Sequence, residues 1–237
     1  MTNKPLLVVG CMHIGQSASD YPLIHRYIDW AKKSKAFILL LGDLFEAALP
    51  HKGSMMFEQT MNPQDQYDAA VKLLAPVAHQ VIGACTSNHS ARAYNVAGID
   101  LDKMLADKLG YLHVYGAHQN MRRVKVGSQT YNIAFTHGAA NAGRVFGDCF
   151  KLHGNYPTAD ICCSSHSHCL ATMKDAFLEE GPKGRTIHPV TYIVAGAALG
   201  YAKYADAACY PPKPKGFAIA WLSPKEKQVI VDVSGTL

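Results

Sequence analysis

The sequence predicts an α/β fold in which two packed mixed β-sheets are flanked by helices, and three observations support this. Strand-like and helix-like segments alternate in the first half, a pattern typical of parallel sheets. Short apolar or alternating segments dominate the second half and indicate further strands. Hydrophobic residues make up 49% of the 237 residues, which is enough for a full core. We therefore expect a single domain over residues 1–237.

The first half is predicted to run strand, helix, strand, helix, strand. Apolar residues at helical spacing between Leu23 and Ala31 predict the first helix, and lysines at its end suit a helix C-terminus. Continuous apolar runs of this length are typical of buried strands. The three predicted strands cover residues 5–10, 37–41 and 81–86.

A less regular segment separates the second strand from the second helix. Residues around 46–64 are rich in Met, Gly and polar side chains, and they predict an insertion loop. Asn62 and Pro63 provide a start signal for the second helix, which should bend at Pro76 because proline lacks the backbone N–H.

The second half changes character. Residues 100–109 predict a helix ended by Gly110. Residues 124–126 and 131–136 predict a β-hairpin, with its turn at residues 127–128. Three further short strands are predicted at residues 190–195, 217–221 and 229–233.

Composition and charge exclude several classes of protein. The apolar runs are far shorter than the ~20 residues of a membrane helix, and the one near the N-terminus is too short for a signal-peptide core. These features predict a cytoplasmic protein with no membrane partner. The odd number of cysteines, seven, argues against a disulfide framework. They include no C-x-x-C pair, which argues against structural zinc fingers. The net charge of +5 attracts polyanions without being a recognition motif.

Side chains that can bind metals follow five of the predicted strands, the fifth being a short strand at residues 160–163. A single Asp or His at such a position is more often a turn residue or a satisfied polar group. Their joint occurrence at strand ends argues for a shared site, because these ends should converge on one edge of the sheets. The residues are Cys11, His13, Asp43, Asn88, His89, His137, His166 and His168.

These residues form a motif series that resembles the calcineurin-like metallophosphoesterases. That family's pattern runs Asp-x-His, Gly-Asp, Gly-Asn-His-Glu/Asp, His and Gly-His-x-His. The resemblance spans about residues 5–170 and implies an αββα sandwich. The matching segments here are Cys11-x-His13, Gly42-Asp43, Ser87-Asn88-His89-Ser90, His137 and Ser165-His166-x-His168.

The resemblance implies two divalent metal ions, of Zn, Fe or Mn, that are bridged by Asp43. One ion would be held by Asp43 with Cys11, His13 and His168, and the other by Asp43 with Asn88, His137 and His166. A metal-bridging hydroxide would attack phosphorus, and His89 would protonate the leaving group or orient the phosphate. Two arginines that follow these motifs, Arg92 and Arg144, are candidates for holding a phosphate oxygen.

The sequence departs from the family pattern at four positions. Ser87 and Ser165 replace glycines, which is tolerable if the backbone avoids positive φ. Ser90 replaces an acidic residue that often supports the histidine before it. Cys11 replaces the first Asp, so it either favours a thiophilic metal such as Zn or Fe, or is only a small buried residue and the first metal is lost.

The activity implied by the resemblance is hydrolysis of a phosphodiester or phosphomonoester. The substrate would be a phosphorylated small molecule, a nucleotide or a nucleic acid. The alternative is a binding or scaffold protein whose first metal site has decayed, which the substitutions at Cys11 and Ser90 favour. Retention of the other motif residues favours the enzyme.

Overall fold

The fold contains eleven strands and six α-helices in the residues that the computed structural model describes, 2–50, 56–139, 144–181 and 184–237. The strands are β1 (Lys4–Val9), β2 (Phe37–Leu40), β3 (Val81–Cys85), β4 (Tyr115–Gly116), β5 (Gln119–Val126), β6 (Gln129–Thr136), β7 (Ile161–Ser164), β8 (Leu170–Gly181), β9 (Gly184–Ala197), β10 (Gly216–Leu222) and β11 (Val229–Asp232). The helices are α1 (Tyr21–Ser34), α2 (Pro63–Leu74), α3 (Asn88–Ala97), α4 (Leu101–Lys108), α5 (Gly147–Asn155) and α6 (Lys203–Ala207).

The strands form two mixed sheets that share one short connection. The first sheet has the order β4-β3-β2-β1-β10-β11, with parallel pairing from β1 to β4 and antiparallel pairing at β10 and β11. The second has the order β5-β6-β7-β9-β8, in which β6, β7 and β9 are parallel. The two are joined where β9 and β10 pair at Gly196 and Phe217.

The side chains of β1 point alternately to the two faces of its sheet, and both faces are buried. Leu6 and Val8 face the second sheet and pack with Phe135 and Ile193, whereas the intervening residues Leu7 and Val9 face the helices. Since successive strand residues point to opposite faces, a strand buried on both faces must be apolar throughout. Helices α1, α2 and α4 cover the outer face of the first sheet, and α5 covers the second. The predicted fold class is confirmed.

Most predicted helices and strands are present with shifted ends, and the second helix differs from its predicted form. The second helix does not bend at Pro76 as predicted. Instead, α2 ends at Leu74 and a 3-10 helix continues over Ala75–Gln80. The proline has no N–H to donate to the preceding turn, so the α-helical hydrogen bonds stop there. Helices α3, α5 and α6 and the strands β4 and β8 were not predicted.

The predicted insertion loop lies partly outside the described residues, at 51–55. Its described part contains only a short 3-10 helix, Met56–Glu58, before α2 begins. The division of the chain into one domain with an insertion around 46–64 stays a prediction. None of the helices in the described ranges is long and apolar enough to cross a membrane.

A buried carboxyl on α4, that of Asp102, should make the stability of the fold depend on pH. Burial and the neighbouring Asp100 raise the pKa of Asp102 to about 7, and its carboxylate lies beside the hydroxyl of Ser90. Because the folded-state pKa lies above that of the unfolded chain, this carboxyl costs no stability below about pH 4. Above that pH the cost in folding free energy increases, and it is largest above about pH 7.

We therefore expect Asp102→Asn to raise the free energy of unfolding at pH 8 by about 2–4 kcal/mol. At pH 4 the variant and the wild type should be similar. Chemical denaturation at both pH values measures this difference. Asp107→Asn, an exposed position on the same helix, is the control. An equal effect of Asp102→Asn at both pH values would show that the charge of Asp102 is not the cause.

Candidate metal centre

Backbone hydrogen bonds hold the loops that follow the strands in place. The N–H of His13, after β1, donates to the carbonyl of Asp43, after β2, over 3.0 Å. In the second sheet the N–H of Ser165, after β7, donates to the carbonyl of His137, after β6, also over 3.0 Å. The predicted convergence of strand ends is therefore present in both sheets.

Five of the predicted metal ligands have a left-handed backbone conformation, which residues other than glycine rarely adopt. Each such residue costs of order 1–3 kcal/mol and persists only where the surrounding structure enforces it. Their concentration at one sheet edge is typical of a functional site. The φ angles are 52° at Cys11, 50° at His13, 49° at Asp43, 65° at His166 and 55° at His168.

The carboxylate of Asp43 lies at the centre of the cluster and is 1% exposed. Its Oδ2 atom is 3.2 Å from Nε2 of His137 and 3.9 Å from both Nε2 of His13 and Nδ1 of His166. Burial opposes the charge, but His137 and His89 outweigh it and hold the pKa of this carboxyl well below its usual range. Asp43 is thus an anion between two groups of imidazoles, as a bridging ligand would be.

His137 brings together the donor atoms on one side of Asp43. Its Nδ1 lies 2.6 Å from the carbonyl of Leu41 and donates to it, so in the neutral ring Nε2 carries a lone pair. This Nε2 is 2.9 Å from Oδ1 of Asn88 and 3.0 Å from Nδ1 of His166. Lone pairs that converge in this way need a proton or a cation between them, so the donor set fits a divalent metal.

A second group of donor atoms lies on the other side of Asp43. The Nε2 atoms of His13 and His168 are 3.2 Å apart, and with Cys11 they form a group whose ligand atoms all lie within 4.8 Å of one another. Burial and the neighbouring His13 lower the pKa of His168 to about 3. His168 is therefore neutral, the form that binds a metal.

The sulfur of Cys11 lies near donor atoms on both sides of Asp43. It also forms a group within 4.8 Å with Asp43 and His137. The side chain is fully buried and its sulfur is 3.1 Å from Oγ of Ser165. Burial and the charge of Asp43 raise the pKa of the thiol, so a metal bound there would have to displace the proton.

Glu46 also lies in this cluster, although no sequence motif predicted it. It stands at the start of the predicted insertion loop. The side chain is buried, and its Oε2 lies 3.1 Å from Nδ1 of His13. Carboxylates in this position orient a histidine ligand and strengthen its binding to metal. The only sequence signal was an acidic residue three positions after Asp43, which is weak without the fold.

We expect Glu46→Gln to lower the affinity for zinc by roughly 10–100-fold, since the loss of an outer carboxylate has effects of that size. The amide can still accept a hydrogen bond from His13 but carries no charge. Competition with a fluorescent zinc chelator measures the affinity, and Glu226→Gln, at an exposed position, is the control. An unchanged affinity would exclude the orienting role of Glu46.

The predicted catalytic histidine and one predicted arginine lie beside Glu46. Nδ1 of His89 is 2.8 Å from the carbonyl of Glu46, and Nη1 of Arg92 donates to the same carbonyl over 2.9 Å. Nη2 of Arg92 lies 3.2 Å from Nε2 of His89. Arg144 is exposed, and in the described parts of the chain no hydrogen bond or ion pair joins it to these residues.

The serine substitutions have local explanations. Ser87 has a φ of −141°, so a glycine is not required there, and its side chain caps α3 by accepting from the N–H of Ser90. Ser90 is buried beside Asp102. The support for His89 that an acidic residue at position 90 would give comes instead from the carbonyl of Glu46.

Comparison with known proteins identifies structures of similar fold. No family model and no curated protein sequence matches the chain. A structure of Vacuolar Protein Sorting 29 from Cryptosporidium parvum matches with a TM-score of 0.52 and 14% identity, over 99% of this chain and 98% of that one. A metallophosphoesterase from Sphaerobacter thermophilus matches with a TM-score of 0.43 and 14% identity, over 97% of this chain and 87% of that one.

The likeness to the Cryptosporidium protein extends over the full length of both chains, and at this identity it shows the fold alone. The chain thus has the predicted fold class, two packed mixed sheets flanked by helices. Within this fold Asp43 belongs to a buried group, with Cys11 and His137, that could hold a metal ion. The roles of the individual residues, including Cys11 in place of Asp, stay predictions.

Proposed function

We propose that the protein is a metal-dependent phosphoester hydrolase that acts on a phosphodiester or phosphomonoester of a nucleotide or nucleic acid. The observation that carries this proposal is the convergence of two groups of donor atoms on the buried carboxylate of Asp43. A buried anion flanked by imidazole nitrogens is suited to divalent cations and leaves their combined charge largely uncompensated. That excess positive charge favours an anionic substrate.

The proposed centre has two metal positions that share Asp43, one for each group of side chains. Cys11, His13 and His168 would hold one ion, and Asn88, His137 and His166 the other. When bound, the ions would polarise the phosphoryl oxygens and lower the pKa of a bound water. With one thiolate and one carboxylate in the set, zinc or iron is favoured over magnesium.

His89 and Arg92 act on the substrate side of this centre. The N–H at Nδ1 of His89 donates to the carbonyl of Glu46, which fixes the ring. Its Nε2 accepts from Nη2 of Arg92 over 3.2 Å, so a phosphate ester would displace this contact to reach it. Arg92 is partly exposed and its guanidinium contacts the same imidazole. Arg92 would hold a phosphate oxygen, and His89 would orient the phosphate or carry the proton of the leaving group.

A non-catalytic binding protein is the second candidate. It is favoured by the buried thiol of Cys11, which pairs with Ser165 in its protonated form and would leave the first position without its usual carboxylate. In that case only the second position would bind a metal, and no ester would be hydrolysed.

Hydrolysis of simple aryl esters separates the two candidates. We expect the metal-free protein to gain activity toward bis(4-nitrophenyl) phosphate or 4-nitrophenyl phosphate when zinc, iron, manganese or nickel is added. Chelation should remove this activity. Failure of all four metals to support hydrolysis of either ester would favour the binding protein.

A further inference from the structure

A solvent-accessible cavity of about 440 Å³ lies beside the candidate metal centre. Asn88 and His137 form one of its walls. The opposite walls come from β5 and α5, which contribute none of the predicted ligands. A phosphoryl group held at Asp43 would therefore have this cavity directly beside it, on the Asn88 side.

The far walls carry polar side chains that already contact one another. Nδ2 of Asn155, on α5, donates to Oε1 of Gln119, on β5, over 3.0 Å. Nζ of Lys151 is 3.7 Å from Oδ1 of Asp148, so the positive charge on this wall is balanced by a negative one. The wall thus offers amide donors and acceptors but little net charge.

We propose that this cavity binds the nucleoside part of a nucleotide ester whose phosphoryl group lies at the Asp43 centre, an inference that rests on the proposed function. The volume is within the range of small-molecule sites, about 300–1,000 Å³, and a nucleoside fits within it. The side-chain amides of Asn155 and Gln119 match the donor and acceptor edge of a base. The carboxylate of Asp148 can accept from a sugar hydroxyl.

The charge of the wall argues for a nucleoside over a second anionic group. A second phosphate would need unpaired cations, whereas Lys151 is already close to Asp148. Most of the exposed lining of the cavity is apolar, which gives a planar base a surface to pack against.

Binding of two phosphonates that cannot be hydrolysed tests the inference. The probes are the phosphonate analogue of thymidine 5′-monophosphate and ethylphosphonate, titrated calorimetrically into the zinc-loaded protein. We expect the thymidine compound to bind at least about 10-fold more tightly, as one or two well-made hydrogen bonds and base packing would give. Asn155→Ala and Gln119→Ala should each reduce this ratio several-fold. Both positions are exposed, so the variants should fold.

Lys108→Ala, an exposed lysine on α4, is the control and should keep the wild-type ratio. Equal affinity for the two phosphonates would overturn the inference, as would a ratio that survives in the Asn155 and Gln119 variants. The outcome is independent of turnover. A nucleoside preference without hydrolysis of thymidine 5′-(4-nitrophenyl phosphate) would support the cavity and contradict the proposed enzyme.

Discussion

Asp43→Asn should abolish hydrolysis and remove bound metal from both positions. The carboxylate is within 4 Å of imidazoles on both sides, and it is the acidic residue shared by the two predicted ligand sets. Asparagine offers one neutral oxygen and cannot bridge two cations. We expect turnover of an aryl phosphodiester to fall by roughly three orders of magnitude, which corresponds to about 4 kcal/mol of lost transition-state stabilisation.

Elemental analysis of the purified variant should accompany the rate measurement. Asp107→Asn, an exposed carboxylate on α4, is the matched control and should retain metal and activity. Circular dichroism would show whether the variant is folded. A folded Asp43→Asn variant that keeps its metal and its rate of hydrolysis would mean that the side chains around Asp43 are not the catalytic site.

Cys11→Asp is expected to change the metal preference. A carboxylate at this position restores the family pattern and provides a hard ligand, whereas a thiolate favours zinc or iron. The sulfur approaches donor atoms on both sides of Asp43, so the substitution should affect both positions. We expect the ratio of manganese-supported to zinc-supported activity to rise by about 10-fold or more, since ligand softness is a main determinant of metal selectivity.

Spectroscopy provides a measurement that does not depend on activity. In the cobalt-loaded wild type, a bound thiolate gives sulfur-to-metal charge-transfer absorption, which should be lost in Cys11→Asp and retained in Cys209→Ser, at an exposed cysteine. If the wild type lacks this absorption and the metal preference is unchanged in Cys11→Asp, then Cys11 is a buried residue and not a metal ligand.

The sequence was sufficient to predict the β1, β2 and β3 strands and the place where their ends meet. Their residues are mostly apolar on both faces, and the polar residues that follow them, such as His13 and Asp43, stand within four residues of the strand ends. The convergence of these side chains follows from parallel strand order alone.

Other features depend on contacts that no local pattern encodes. Glu46 lies beside His13 because the segment after β2 pairs with the segment after β1, where the N–H of Glu46 donates to the carbonyl of Ile14. Strand β8 was missed because half of it lies in an exposed hairpin with β9, where its side chains do not alternate between core and solvent. The supporting contact to His89 is made by a backbone carbonyl, which has no sequence signature.

Titration of zinc into the metal-free protein, with hydrolysis of bis(4-nitrophenyl) phosphate and 4-nitrophenyl phosphate followed at each step, tests the central claim most directly. Two ligand groups that share Asp43 predict that activity toward at least one ester rises with added metal and levels off at about two ions per chain. Zinc binding at this stoichiometry without hydrolysis of either ester, or hydrolysis that is unaffected by removal of the metal, would contradict the account.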